Sequence, residues 1–233
     1  MVDFSSLGEN NSADTALHPR QIFNALPENS YQYPRDVQTE VWNEWHDHHA
    51  DGTDTVIKMN TGSGKTIVGL LILKSCLNED KGPAVYLCPD KYLAKQVRGE
   101  AERLGLSVTK DPQSLRFRGS DSILVTNIYK LFNGKSQFGV GSVVVDDVHA
   151  CIVDTEQQFT LKLGEAVVDE FLSLFEIDLR DQSPGGFHEI QRGDSFRELL
   201  VPYWAWQRET DTVRDIVMEN ADDDTLKYQW PLV

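Results

Sequence analysis

Thr61, Gly62, Ser63, Gly64, Lys65 and Thr66 form one stretch, TGSGKT, between a β-branched run and an apolar helix-forming run. Those residue types in that order suit the binding of phosphate. A turn between a buried strand and a helix N-terminus aims several backbone N–H groups at one point, beside the positive end of the helix dipole. Glycines at positions 62 and 64 let the backbone wrap closely around an anion with no Cβ in the way. Lys65 can reach the β- and γ-phosphate oxygens, and the Thr66 hydroxyl suits a magnesium ligand position. The full phosphate-loop pattern asks for one more glycine five residues before Gly64, where this chain has Met59.

Holding phosphate is not hydrolysis, which also needs a carboxylate on the metal side and a group that orients water. GSVVVDDVHA (Gly141–Ala150) offers both. Asp146 and Asp147 close an apolar strand at its C-terminal end, the edge where open parallel sheets bind ligands. Asp146 is the candidate metal-side carboxylate, Asp147 the candidate water-orienting group, and His149 follows on the same loop. Paired acids at a strand end also serve as a turn or a helix cap.

Strands and helices alternate around these residues. The pattern predicts strands at Thr55–Met59, Ala84–Cys88, Ile123–Thr126 and Ser142–Asp146, with helices at Lys65–Leu77 and Lys91–Leu104. The strands are continuous apolar runs, as burial on both sheet faces requires. The fold class is therefore α/β, with helices on both sides of a mostly parallel central sheet. PRQIFNALP (Pro19–Pro27) reads as a short helix between prolines, and Val37, Val41, Trp42 and Trp45 share one face of a helix after Pro34. Residues 1–18 read as a loose tail. After residue 154 the pattern predicts a mostly helical extension to residue 233: a long helix at Thr155–Phe175 using Phe159, a loop at Asp181–Gly186, and a helix interrupted at Pro202. The YWAW cluster (Tyr203–Trp206) reads as packing, with base stacking as the alternative. His46 and His49 have ligand spacing without supporting ligands, and read as surface or packing histidines.

TGSGKT followed by DDVH resembles the superfamily-two DEAD/DEAH-box helicases and translocases, in their first RecA-like motor domain. The resemblance runs from about Pro19 to Ala150, so the domain is expected at 19–154. It implies ATP and Mg²⁺ as cofactors. PRDVQ resembles the adenine-reading motif, which assigns Gln38 to the adenine edge. PDKYLAKQV looks like the next motif, in which Pro89, Leu93 and Gln96 fit; ILVTNIYKLF is similar to the strand–Thr segment that touches the nucleic-acid backbone, with Thr126 and Asn127 as contacts. Pro89 and Gln96 are expected on that same nucleic-acid side, and His149 is expected to couple the two sites. The implied partners are single- or double-stranded DNA or RNA and a second RecA-like domain carrying arginine fingers. The intact enzyme would couple ATP hydrolysis to strand movement or separation. Alternatives are a regulatory P-loop module that binds nucleotide without unwinding, or the translocase part of a restriction-type nuclease.

Charge follows the same division. Lys58–Lys135 holds 13 Lys+Arg against 7 Asp+Glu, a local +6, inside a chain of net charge -15. Contacts to nucleic-acid phosphates position without reading sequence, and a basic segment beside the phosphate loop fits that role. Cys76, Cys88 and Cys151 lie far apart in apolar surroundings, the pattern of reduced thiols. With no secretory signal and no membrane-length apolar run, the expected location is cytoplasmic.

Three departures qualify the resemblance. Asp147 stands where the family usually has Glu, and a misplacement near 1 Å can cost about 10²-fold in rate. Met59 replaces a smaller residue. The family's next strand, which lies between the phosphate-loop strand and the acidic strand, has no counterpart in Cys151–Val233 unless YQWPLV leads into it. Without arginine fingers, hydrolysis is expected to fall by about 10³–10⁵.

Overall fold

The computed structural model describes residues 12–132, 138–158, 160, 163–193 and 198–220. Phe159 and the terminal YQWPLV lie outside them. The chain divides into two compact units, Met1–Leu131 with Ser136–Thr155, and Phe132–Lys135 with Glu156–Val233.

The first unit begins with helices α1 (Pro19–Ala25), α2 (Asp36–His48) and α3 (Lys65–Asn78). Strand β1 (Ala84–Cys88), helix α4 (Lys91–Leu104), strand β2 (Val108–Thr109) and the short α5 (Leu115–Arg118) follow. Then come β3 (Ile123–Asn127), the short α6 (Ile128–Leu131), β4 (Ser142–Val145) and α7 (Val148–Gln158). The four strands form one all-parallel sheet in the order β2-β3-β1-β4. The α/β class is as expected.

Local chemistry sets many of these boundaries. The Asp90 carboxylate accepts from Tyr92 N at 2.7 Å and Leu93 N at 2.8 Å, capping α4 at its start. Gly105, at φ 74°, ends α4 in the left-handed conformation glycine adopts without cost. β1 and β3 sit inside the sheet and are buried along their whole length, which their unbroken apolar runs required. α3 packs across β1 and β4, and α4 across β1, β2 and β3. The core above them centres on Trp42, fully buried, whose ring lies 5.9 Å from Phe23 and whose Nε1 donates to Val68 O at 3.4 Å. Each large apolar side chain buried here, such as Leu70, Leu71 and Leu73, contributes about 1.5–3 kcal/mol.

Of residues 1–18, the first eleven lie outside the described residues, and the rest are tied to α3. Asn78 Nδ2 donates to the carbonyls of Ala13 (2.9 Å) and Ala16 (2.6 Å), and Lys74 pairs with Asp14 at 2.8 Å.

The expected strand at Thr55–Met59 does not form. Residues 54–60 carry no regular structure, and Val56 is 93% exposed. A strand is held by neighbours that accept and donate its backbone hydrogen bonds. Among the described residues nothing pairs with this segment, and nothing pairs with the outer edge of β4, where Val143 and Val145 remain 41% and 36% exposed.

In the second unit the long helix expected over Thr155–Phe175 is broken: α8 spans Glu165–Leu174 and starts after an extended Gly164. The loop expected at Asp181–Gly186 is mostly helix, because α9 (Glu176–Gln182) runs to Ser183 and α10 (Pro184–Gln191) begins there. Ser183 Oγ caps Gly186 N, and Pro184 takes the first helical position, where a missing N–H costs nothing. α11 (Tyr203–Glu219) starts directly after Pro202. Phe175, Leu179, Phe187, Ala205 and Val213 form this unit's core. Trp206 packs on Phe175 at 5.0 Å between centroids, whereas Tyr203 and Trp204 are exposed.

Candidate functional site

The phosphate-type turn is built from its own backbone. Ser63 N and Ser63 Oγ both donate to Asn60 O, at 3.2 and 2.6 Å. Gly62 (φ 79°) and Gly64 (φ 85°) take left-handed conformations that place Lys65 at the start of α3. The first turn of α3 holds no acidic side chain, so its unpaired N–H groups and dipole present positive potential. Lys65 is exposed at this end and Thr66 is half-buried one residue further.

Gln38 sits against this turn rather than in an open pocket. It is 2% exposed; its Oε1 accepts from Arg35 N at 2.9 Å, and its Nε2 donates to Gly64 O at 3.2 Å. Arg35 Nη1 donates to Gly62 O beside it. The expected adenine reader is thus engaged on both sides of its amide, by the loop at Gly64 O and by the start of α2 at Arg35 N.

β4 delivers the acids. Asp146 N donates to Leu87 O at 2.8 Å, extending the ladder one residue past β4 and fixing Asp146 at the carboxyl edge of the sheet. Its carbonyl accepts from Cys151 Sγ at 3.2 Å. Asp147 takes φ 47°, and its carbonyl accepts from Cys151 N at 3.1 Å as α7 begins. Aspartate tolerates the left-handed region better than glutamate, which gives a backbone reason for the shorter acid here. Asp147 and His149 are both exposed.

Tyr86, in the middle of β1, joins the two halves. It is 1% exposed, and Asp146 and Thr66 are close enough to its hydroxyl to act on its ionisation. Burial, followed by the charge of Asp146, pushes its ionisation far above the ordinary tyrosine value, so it stays a neutral donor. Thr66 and Asp146 therefore meet around one phenol. Hydroxyl and carboxylate oxygens are the hard donors Mg²⁺ prefers, so the residues present fit such an ion. The α3 N-terminus with Lys65 fits the phosphates that would accompany it.

A second concavity, of about 390 Å³, lies at the carboxyl end of β3. Thr126 and Asn127 line it with Lys91, Arg98, Lys110 and Lys130, against the single acid Asp111. Arg98 Nη1 is anchored on Val125 O at 3.0 Å. The structure thus gathers Thr126 and Asn127 with four cations. Pro89, buried after β1, and Gln96, exposed on α4, are not among the lining residues.

Arg35, Tyr86, Arg98 and Lys110 were missed as site residues in the sequence. The signal available for Tyr86 was one phenol in the otherwise apolar AVYLC, and for the cations only the local positive charge. Cys88 and Cys151 are buried and free; burial pushes their thiols up to about 12 and about 11. Among the described residues no group of three or more His, Cys, Asp or Glu could hold a metal ion. No helix among them is long and apolar enough to cross a membrane.

The model of the DEAD/DEAH box helicase family matches residues 35–175. No curated protein and no solved structure matches the chain.

Proposed function

Because the chain belongs to the DEAD/DEAH box helicase family, we propose that residues 19–154 are an ATP-binding motor domain that couples Mg²⁺-dependent ATP hydrolysis to movement along, or separation of, nucleic-acid strands. The observation that carries this reading is that α3, with the glycine turn and Thr66 at its head, packs on β4, the strand that ends in Asp146.

In this reading Lys65 and the first-turn N–H groups of α3, with Thr61–Gly64, hold the phosphates, and Thr66 and Asp146 hold the metal. Mg²⁺, once bound, would screen the charge on the β- and γ-phosphate oxygens. Asp147 orients the attacking water, and His149 couples the site to the nucleic-acid side. Gln38 meets the adenine edge by giving up its bond to Gly64 O. Thr126 and Asn127, with the cations beside them, take phosphates of one DNA or RNA strand without reading its bases. Pro89 and Gln96 belong to the same path. A second RecA-like domain supplies the arginines that full turnover requires. The extension at 155–233 is a separate helical element, and the three buried, free thiols fit a reducing, cytoplasmic setting.

A second reading has its own support. Asp147 is exposed and fixed at a left-handed φ, and Gln38 is already engaged, so the domain could hold nucleotide as a regulatory module without unwinding. Titration calorimetry with Mg-ATP, on the chain and on Lys65→Ala, in the presence and absence of single-stranded DNA or RNA, separates the two. Binding lost in the variant and strengthened by a nucleic acid supports the motor. Binding lost in the variant but indifferent to nucleic acid supports the module. Binding unchanged by Lys65→Ala refutes both.

A further inference from the structure

The other side chains of β1 are apolar or a thiol, and phenylalanine would fill the volume of Tyr86 equally well. A buried phenol needs a partner, so the hydroxyl calls for an explanation that packing does not give.

The surrounding geometry aims it. The Tyr86 ring rests on Gly69 of α3 and beside Val144 of β4, its register partner. A Cβ at Gly69 would lie 2.9 Å from Tyr86 Cε2 and 3.0 Å from Val144 Cγ1, so only glycine leaves room for the ring there. Thr66 stands three residues before Gly69 on the same helical face. Asp146 stands two residues after Val144, on the same side of that strand's path. A ring seated on Gly69 and Val144 therefore carries its hydroxyl toward Thr66 and Asp146.

We propose that Tyr86 is a positioning residue for the divalent cation. Its hydroxyl donates to the Asp146 carboxylate and accepts from the Thr66 hydroxyl, fixing both oxygen ligands before nucleotide arrives. The direction of these bonds matters. Thr66 spends its proton on the phenol, which leaves its lone pairs for the metal. Asp146 is held by one oxygen and presents the other. Gly69 belongs to the same device, as the notch that seats the ring. The inference rests on the nucleotide reading of this site.

Tyr86→Phe keeps the ring and removes only the hydroxyl. A fluorescent ATP analogue titrated in Mg²⁺ and in EDTA should bind this variant as it binds the parent chain in EDTA. In Mg²⁺ it should bind about tenfold more weakly, the scale of one hydrogen bond to a charged group. Gly69→Ala, which displaces the ring and keeps the hydroxyl, should show the same Mg²⁺-selective loss. Equal losses with and without Mg²⁺, or no loss in either, overturn the proposal.

A second readout needs no nucleotide. Urea midpoints are compared for the parent chain, Tyr86→Phe, Asp146→Ala and the double variant. Loss of the hydroxyl should lower the midpoint of the parent by more than that of Asp146→Ala, where only the bond from Thr66 is left to lose. An equal shift in both backgrounds means that the hydroxyl does not act on Asp146, and overturns the proposal. If the parent chain binds no nucleotide, the proposed function falls, and this cycle alone decides the role of Tyr86.

Discussion

Replacing Gly64 by alanine tests how the phosphate-type turn is held. Gly64 has φ 85°, where an L side chain costs roughly 1–2 kcal/mol. An added Cβ would meet Gln38 Nε2 at 2.2 Å, so the Gln38 amide must swing away. That side chain is buried and makes two bonds, to Gly64 O at 3.2 Å and from Arg35 N at 2.9 Å, each worth about 0.5–1.5 kcal/mol. The cost of Gly64→Ala is then about 2–5 kcal/mol, less the roughly 0.4–1 kcal/mol that alanine recovers by restricting the unfolded chain. Gly62 is the internal control. It has φ 79°, but nothing lies within 4 Å of its added Cβ, so Gly62→Ala carries the backbone cost and no clash.

The assay is urea unfolding followed by tryptophan fluorescence. The two variants should differ by about 1–3 kcal/mol, which at the upper end of a slope of about 1–3 kcal/mol/M puts the Gly64→Ala midpoint roughly 0.3–1 M below that of Gly62→Ala. In a Gln38→Ala background the clash has no target, and the cost of Gly64→Ala should shrink to that of Gly62→Ala. Equal midpoints for the two glycine variants, or an undiminished cost without Gln38, would refute the reasoning.

Three further outcomes follow from particular residues. Asp147 holds φ 47°, so Asp147→Gly should be about 1 kcal/mol more stable than Asp147→Ala, and coincident melting curves would refute the strain. Burial and then the neighbouring His46 hold the His18 imidazole below its ordinary value of 6.5, while its Nδ1 accepts from Arg20 N at 3.1 Å to cap α1. A depressed folded value means that the unfolded chain takes the proton first, so this contribution is full above about pH 6.5 and is lost as pH falls through and below it. His18→Asn keeps a capping oxygen without the titration, and its melting temperature should fall less than that of the parent between pH 7.5 and 5.5, a range set around the ordinary histidine value of about 6.5. The thiols of Cys76, Cys88 and Cys151 are buried and raised above their ordinary value, so Ellman's reagent at about pH 8 should label the folded chain slowly and all three thiols in urea. Fast labelling of the folded chain would contradict their burial.

Local chemistry wrote much of this protein directly into its sequence. Asp90 and Gly105 mark the ends of α4 because a carboxylate cap and a left-handed glycine act within a few residues of themselves. The apolar runs at 84–88 and 123–126 revealed strands buried on both faces, and the paired acids at 146 and 147 stood where such a strand must end. The run at 55–59 looked the same in sequence and is not a strand, because strand formation depends on a neighbour that the run itself does not encode. The turn at Thr61–Thr66 was legible for a similar local reason, since its glycines and its helix start are adjacent in the chain. What holds that turn was not legible. Gln38 and Arg35 reach it from 26 or more residues away, and only folding brings their donors to its carbonyls. Tyr86 shows the limit most clearly. As one letter in AVYLC it reads as core, and it becomes part of the site only when α3 offers a notch at Gly69 and β4 brings Asp146 alongside. Caps and tight turns are set by residues close in sequence; a strand, and the gathering of Thr66, Tyr86 and Asp146 from three elements, is set by how the elements pack.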